Sequence, residues 1–146
     1  MSSSKTWAEK KIGAWKEKSA SAAEDVCSCA ALAVVVAHGV PSNPRPLDRA
    51  LAALAAKVGR AMPTAGIAVR GATLARRGSL ESALAEAPAG AAVRIYPFFM
   101  SDGYFTRKVL PRRVAAAREG AVIFLPPLGL DPRLPGLCAR RACETV

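Results

Sequence analysis

Apolar residues are distributed along this chain in short continuous runs that alternate with segments of helical spacing. The run over 31–37, rich in Ala and Val, is typical of a strand buried on both faces of a sheet. Three more such runs follow, each separated from the next by a segment with apolar residues three and four apart. Regular alternation of this kind predicts a doubly wound α/β domain with a parallel four-stranded sheet. The strands are expected at 31–37, 66–74, 91–96 and 121–125, and the helices at 46–59, 80–87, 107–119 and 131–142.

Two residues mark the predicted helix starts. Pro46 suits a first helical turn, where the missing N–H leaves no hydrogen bond unmade. Ser79 precedes the second helix, and its hydroxyl is predicted to act as the N-cap. Turn residues separate each strand from the helix that follows it, which keeps the connections short.

Residues 1–29 differ in composition from the rest and are set apart from a domain over 30–146. Trp7, Ile12 and Trp15 fall on one helical face among lysines. Two interpretations stay open for this basic N-terminal extension, a poorly ordered segment or a short amphipathic helix.

The formal net charge of +10 on 146 residues favours anionic partners, although an arginine-rich protein without such a partner has the same composition. No nucleic-acid-binding module is recognisable, so no nucleic-acid partner is expected. The longest apolar run, 30–37, is far shorter than the ~20 residues of a membrane-spanning helix. With acidic residues interrupting the segment before it, the pattern does not match a secretory signal, and a cytoplasmic location is predicted.

The four cysteines do not form a recognisable metal-binding pattern. A Cys-x-Cys pair and a Cys-x4-Cys pair lack zinc-ribbon spacing, and no histidine lies near either. Free thiols are therefore predicted at Cys27, Cys29, Cys138 and Cys143.

His38 directly follows the first predicted strand, and ligands of open parallel sheets bind beyond the carboxyl ends of the strands. An imidazole at this place can bind a divalent metal or transfer a proton, or it can bond a loop carbonyl. Gly39 lets a ligand or another segment approach closely. Dinucleotide, P-loop, zinc-protease and thioredoxin motifs are missing from the sequence.

The strand ends and their neighbourhood supply further candidates. Asp102 is a candidate proton acceptor or a turn former. Tyr104 and Phe105 could stack on a flat ligand or cover the core. Arg94 could bind carboxylates, and four further residues could do the same or form a solvated helix face, namely Arg107, Lys108, Arg112 and Arg113.

Four segments together resemble one family, the sirohydrochlorin cobalt/iron chelatases of the CbiX and SirB type. The segment 34–39, VVVAHG, with the polar loop 42–44, resembles that family's opening signature hGHGS. The segment 96–104, YPFFMSDGY, resembles its P-x-F-L-x-x-G-x-H segment. Leu110-Pro111 matches its D-I-P, and 127–132, PLGLDP, matches its L-G-x-x-P.

This resemblance covers about 31–142 and implies a flavodoxin-like chelatase half-domain that pairs as a homodimer. It implies insertion of cobalt, iron or nickel, as a substrate, into a carboxylate-rich tetrapyrrole such as sirohydrochlorin, with no organic cofactor. His38 is then the metal ligand and, with Asp102, a catalytic residue. The residues expected to bind the tetrapyrrole are Ser42, Arg94, Gly103, Tyr104, Phe105 and Arg107.

The chain departs from the family pattern at two positions. The family's second histidine falls at Phe105, and the acidic residue that ends its second strand falls near Ala75. A site with one histidine is expected to bind metal weakly, because most sites use three or more protein ligands. Whether the chain is an enzyme thus stays open between a chelatase and a protein of the same fold that binds the tetrapyrrole or the metal without catalysis.

Overall fold

A computed structural model of the chain describes residues 30–62 and 66–144. The predicted basic extension, with Trp7, Ile12, Trp15, Cys27 and Cys29, lies outside the described residues. The elements in chain order are β1 (Ala30–Ala37), α1 (Pro44–Ala61), β2 (Ala68–Thr73), α2 (Ser79–Ala85), β3 (Ala92–Pro97), a π-helical turn (Phe105–Val109), α3 (Leu110–Ala117), β4 (Val122–Phe124), a 3-10 turn (Leu128–Leu130) and α4 (Leu134–Cys143).

The four strands form one parallel sheet in the order β2-β1-β3-β4. The two central strands meet their neighbours in a register that brings Ala37 opposite Thr73 and Val36 opposite Pro97. The carboxyl ends of β1, β2 and β3 therefore lie at one edge of the sheet. This edge, with the loops that leave it, is called the rim below. The predicted parallel α/β fold is confirmed.

Two apolar layers cover the two faces of the sheet. On one face, Leu51 and Ala55 of α1 pack against Val35 of β1 and Val69 of β2. On the other face, α2 and α3 cover the centre of the sheet. That second layer consists of Leu32, Val34, Val36, Ala72, Leu80, Ala83, Leu84, Ala87, Val93, Ile95, Leu110 and Val114. Helices on both faces explain why β1 has no polar residue and reads as a continuous apolar run.

The helix starts differ from the sequence prediction in several places, and α4 begins at Leu134 rather than at residue 131. Helix α1 begins at Pro44 rather than Pro46, because both prolines fit within a first turn that needs no N–H. The predicted N-cap role of Ser79 is wrong. Gly78 occupies the cap position with φ +78°, and the Ser79 hydroxyl bonds other partners.

The segment predicted as one helix over 107–119 is divided in two. A π-helical turn over Phe105–Val109 runs into α3, which ends at Ala117. Pro111 stands near the start of α3 and cannot donate a backbone hydrogen bond, which is compatible with a change of helical pitch there. Within the described ranges, no helix combines the length and the apolar character needed to cross a bilayer.

The outer edge of β2 is covered by side chains from its own surroundings. The Arg70 guanidinium donates to the Val69 carbonyl at 3.0 Å and also pairs with Glu86, the residue that follows α2. The Ser79 hydroxyl accepts the Thr73 N–H at 3.1 Å. At Gly71 an added Cβ would stand 2.5 Å from the Leu51 carbonyl oxygen, so α1 crosses β2 there at a distance that only glycine permits.

Candidate functional site

The loop after β1 and the loop after β2 are bonded to one another at the rim. The Ala75 N–H donates to the His38 carbonyl at 2.8 Å, and the Leu74 N–H donates to the Ala37 carbonyl at 2.9 Å. Gly39 has φ +85°, and a Cβ there would lie 2.7 Å from the Ala75 Cβ. Glycine is thus required both for the backbone conformation and for the contact. These bonds fix the backbone that carries the imidazole.

The His38 side chain is half-buried, with one ring nitrogen committed to the protein. Its Nδ1 lies 2.9 Å from the Gly39 carbonyl oxygen. A carbonyl oxygen can only accept, so Nδ1 carries the proton in this contact and Nε2 of the neutral ring keeps its lone pair. A histidine that binds a metal commonly has its second nitrogen bonded to a carbonyl in this way.

Phe105 packs directly against the imidazole. The two ring centroids are 4.3 Å apart at 85°, an edge-to-face contact. Tyr104 continues the series, with its ring centroid 5.7 Å from that of Phe105. The loop after β3 therefore reaches the loop after β1, as expected for two turns at the same rim.

Asp102 and Arg107 of this loop bind each other. The Arg107 Nε donates to Asp102 Oδ2 at 2.8 Å, and the Thr106 hydroxyl lies 2.7 Å from Asp102 Oδ1. The Gly103 N–H donates to Thr106 Oγ1 at 2.8 Å, which closes the turn. The carboxylate predicted as a proton acceptor is thus held in a turn by a guanidinium, and turn formation was the alternative interpretation.

The loop after β4 completes the rim. The Gly129 N–H donates to the Phe99 carbonyl at 2.9 Å. A Cβ at Gly129 would lie 1.7 Å from the Met100 carbonyl oxygen, so the backbones touch and no other residue fits. The loops after β1, β3 and β4 expose large apolar side chains, which are together called the rim patch, namely Val40, Phe98, Met100, Tyr104, Phe105 and Leu130.

One of the predicted tetrapyrrole-binding residues, Arg94, lies apart from this patch. Arg94 is in the interior of β3, opposite Ala33 and Ile123, three residues before the strand ends. At about 3.3 Å per residue this places its Cα roughly 10 Å from the rim. Ser42 is exposed in the turn that leads into α1. The geometry thus brings together His38, Tyr104 and Phe105, with Asp102, Gly103 and Arg107 in the adjoining turn.

The described residues do not form a metal site of their own. Across 30–62 and 66–144, no group of three or more His, Cys, Asp or Glu side chains is placed to hold a metal ion. Cys138 and Cys143 are exposed free thiols, as predicted. The donor set around His38 therefore does not match a resident divalent ion, which ordinarily has three or four protein ligands.

A buried carboxylate next to the rim was not found from the sequence. Asp48 of α1 accepts hydrogen bonds from Thr73 Oγ1 at 3.0 Å and from Ser79 Oγ at 2.6 Å, and Arg76 donates to its second oxygen. Burial raises the pKa of Asp48, but the hydrogen bonds from Ser79, Arg76 and Thr73 together lower it by more. The pKa of Asp48 therefore lies below its usual value. Asp48 thereby ties α1 to the loop that contains Ala75.

A cleft of about 450 Å³ lies beside this carboxylate, between α1 and α2 along the outer edge of β2. Arg70, Arg76, Arg77 and Glu86 line it together with small residues of both helices. None of its lining residues belongs to the His38 loop or to the loop after β3. The cleft is thus separate from the candidate site.

Comparison with known proteins decides the family. The family model named CbiX matches residues 32–145, which is most of the chain. The chain belongs to the CbiX family. This confirms the relationship indicated by the four sequence segments, and the match spans nearly all of the sheet and the loops that follow its strands in the CbiX chain.

Solved structures agree with this assignment. The CbiX chain is 46% identical over 77% of its length to the protein described as "CbiX, the terminal Enzyme for Biosynthesis of Siroheme in Denitrifying Bacteria", with a TM-score of 0.62. It spans 48% of that structure, about half its length. A CbiX protein from Marinobacter aquaeolei VT8, named for cobalamin (vitamin B12) biosynthesis, shares the fold with a TM-score of 0.57 at 20% identity over 77% of this chain and 93% of that one. Among curated proteins, none matches significantly.

Proposed function

We propose that this CbiX chain inserts a divalent metal ion into a metal-free, carboxylate-rich tetrapyrrole of the sirohydrochlorin type, bound at the rim. The observation that carries the proposal is His38 at the carboxyl edge of the sheet, whose Nδ1 is bonded to the Gly39 carbonyl, whose Nε2 has no hydrogen-bond partner among the described residues, and whose ring contacts that of Phe105. The relative that is 46% identical is a terminal enzyme of siroheme biosynthesis, and siroheme contains iron. Fe²⁺ is therefore the first metal ion to test, followed by Co²⁺ and Ni²⁺.

The rim suits the two surfaces of such a substrate. A macrocycle is flat and apolar over its ring, and Met100 and Tyr104, which are 70% and 67% exposed, offer large side chains for it to lie on. The carboxylates at the edge of the ring need cations, and Arg107, Lys108 and Arg112 lie on the segment that leaves this loop. Arg107 would exchange its bond to Asp102 for a bond to substrate.

Insertion requires that two pyrrole N–H bonds break as the metal–nitrogen bonds form. Two protons leave, and the metal keeps its oxidation state. The Nε2 lone pair of His38 can accept a proton from the macrocycle and pass it to solvent. Its bond from Nδ1 to the Gly39 carbonyl holds the ring in the orientation and tautomer that this step needs.

The test follows metal insertion by the change in the visible absorption bands of sirohydrochlorin. Purified protein is mixed with the metal-free pigment and either Fe²⁺ without oxygen or Co²⁺. The wild type is expected to accelerate insertion, and His38→Ala is expected to lose at least about a hundredfold of that acceleration, the lower end for removal of a general base. Lys57→Ala, on the exposed face of α1 some 20 Å along the helix from its start at the rim, is the matched control.

The other outcomes have distinct meanings. A shifted pigment spectrum without faster insertion would replace the proposal by a binding protein that lacks catalysis. Equal rates for the wild type and His38→Ala would remove His38 from the mechanism. The homodimer and the cytoplasmic location are part of the proposal, and gel filtration with light scattering tests the former.

A further inference from the structure

His38 is the single histidine of the chain, and one of its two ring nitrogens is already in use. The remaining nitrogen, Nε2, is the one imidazole donor that the chain can offer to a metal ion. The side chain that packs against the imidazole is Phe105, with 4.3 Å between the ring centroids. Its ring has no atom that can bind a metal.

The nearest candidate carboxylate on the loop after β3 is also engaged. Asp102 accepts bonds on both oxygens, from Thr106 on Oδ1 and from Arg107 on Oδ2. To coordinate a metal it would have to release the guanidinium and open the turn at Gly103. Together with the missing cluster of ligands in the described ranges, this leaves one protein ligand where a stable site needs about three or four.

We infer that the divalent metal ion joins this site only after the tetrapyrrole is bound, because the macrocycle nitrogens supply the ligands that the described residues around His38 lack. The order of addition is then fixed, with the pigment first and the metal second. The inference rests on the proposed function. Fe²⁺ or Co²⁺ alone has no His38-dependent binding to the free protein at the concentrations that support insertion.

Equilibrium dialysis tests the first half of the inference with the metal alone. Co²⁺ is dialysed against the full chain and against His38→Ala, and the measured quantity is the difference in bound metal. This difference cancels any metal bound by cysteines, which both proteins share. No difference is expected at a Co²⁺ concentration that saturates the insertion rate.

Isotope trapping tests the order directly. The protein is incubated with radioactive Co²⁺ and then mixed with sirohydrochlorin and a large excess of unlabelled Co²⁺. The product of the first turnover is expected to contain Co²⁺ of the diluted specific radioactivity, since the free protein holds no Co²⁺ before the pigment is added. Label trapped in the first turnover would overturn the inference.

Phe105→His supplies a positive test. An imidazole at this position would place a second nitrogen donor next to His38. Metal–nitrogen bonds are ~2.0–2.1 Å long, so two neighbouring rings can bind the same ion. The variant is expected to bind Co²⁺ about tenfold or more tightly without pigment and to trap label. Phe105→Leu, which removes the ring without adding a ligand, is the matched control and should behave as the wild type in dialysis.

The failures of the two proposals are distinguishable. His38-dependent Co²⁺ binding to the free wild type would overturn the order while leaving chelatase activity intact. Binding of one Co²⁺ ion per two free chains would also overturn the order, since two copies of the chain would then supply the ligands of one ion. If no order of mixing accelerates insertion, the proposed function fails whatever the dialysis shows.

Discussion

Replacing Asp48 by alanine tests the hydrogen-bond network that ties α1 to the loop after β2 at the rim. The substitution leaves the Thr73 hydroxyl, which is fully buried, and the Ser79 hydroxyl without their common acceptor. A hydrogen bond to a charged group contributes about 1.5–3 kcal/mol, so the two together account for about 3–6 kcal/mol. The third partner, Arg76, is half-exposed, and its ion pair adds at most about 1 kcal/mol.

The loss is measured as the change in the free energy of unfolding in urea at pH 7. Glu86→Gln is the control, because its ion pair with Arg70 is exposed and its removal is expected to change stability by less than about 0.5 kcal/mol. If Asp48→Ala is as stable as Glu86→Gln, the network described here does not stabilise the fold.

The same site predicts a pH dependence. The pKa of Asp48 is lowered in the folded state, so its contribution is complete above the ordinary carboxyl pKa of about 3.9 and is lost as the pH falls through the folded value. The stability difference between the wild type and Asp48→Asn is therefore expected to be constant above about pH 5 and to shrink below about pH 4. A difference that is the same at pH 3 and pH 7 would contradict this reasoning.

Two further substitutions separate the rim from the core. Gly129→Ala is expected to lower the free energy of unfolding by about 2 kcal/mol or more, because the added Cβ would collide with the Met100 carbonyl. Gly103→Ala is the control, because a Cβ at that position meets open space. Equal melting temperatures for the two variants would refute the close contact at Gly129. Arg113→Ala is expected to lower the free energy of unfolding by about 2 kcal/mol, because the guanidinium donates to both Glu81 oxygens and to the Leu74 carbonyl. The same substitution is expected to raise the pKa of Glu81 toward its usual value, as measured by NMR titration. An equal Glu81 pKa in Arg112→Ala and Arg113→Ala would contradict this prediction.

The fold could be predicted because β1 is a continuous apolar run and because four strand-like segments alternate with segments of helical spacing, separated by turn residues. The position of His38 also followed from the sequence, since a polar residue directly after a buried strand must lie at the carboxyl edge. The Asp48 network could not be found in this way. The partners of Asp48 stand 25 to 31 residues from it along the chain, and nothing in the local pattern distinguishes a buried aspartate in an amphipathic helix from a solvated one. The π-helical turn at Phe105 was missed because its residues fit an ordinary helix equally well.

The covered edge of β2 limits how two copies of this chain can associate. A strand from a second molecule would have to displace Arg70 from the Val69 carbonyl and Ser79 from the Thr73 amide before it could pair there. The opposite edge, β4, is three residues long and offers few backbone groups. A dimer is therefore expected to leave the two sheets separate and to join through helices or rim loops, rather than to build one eight-stranded sheet.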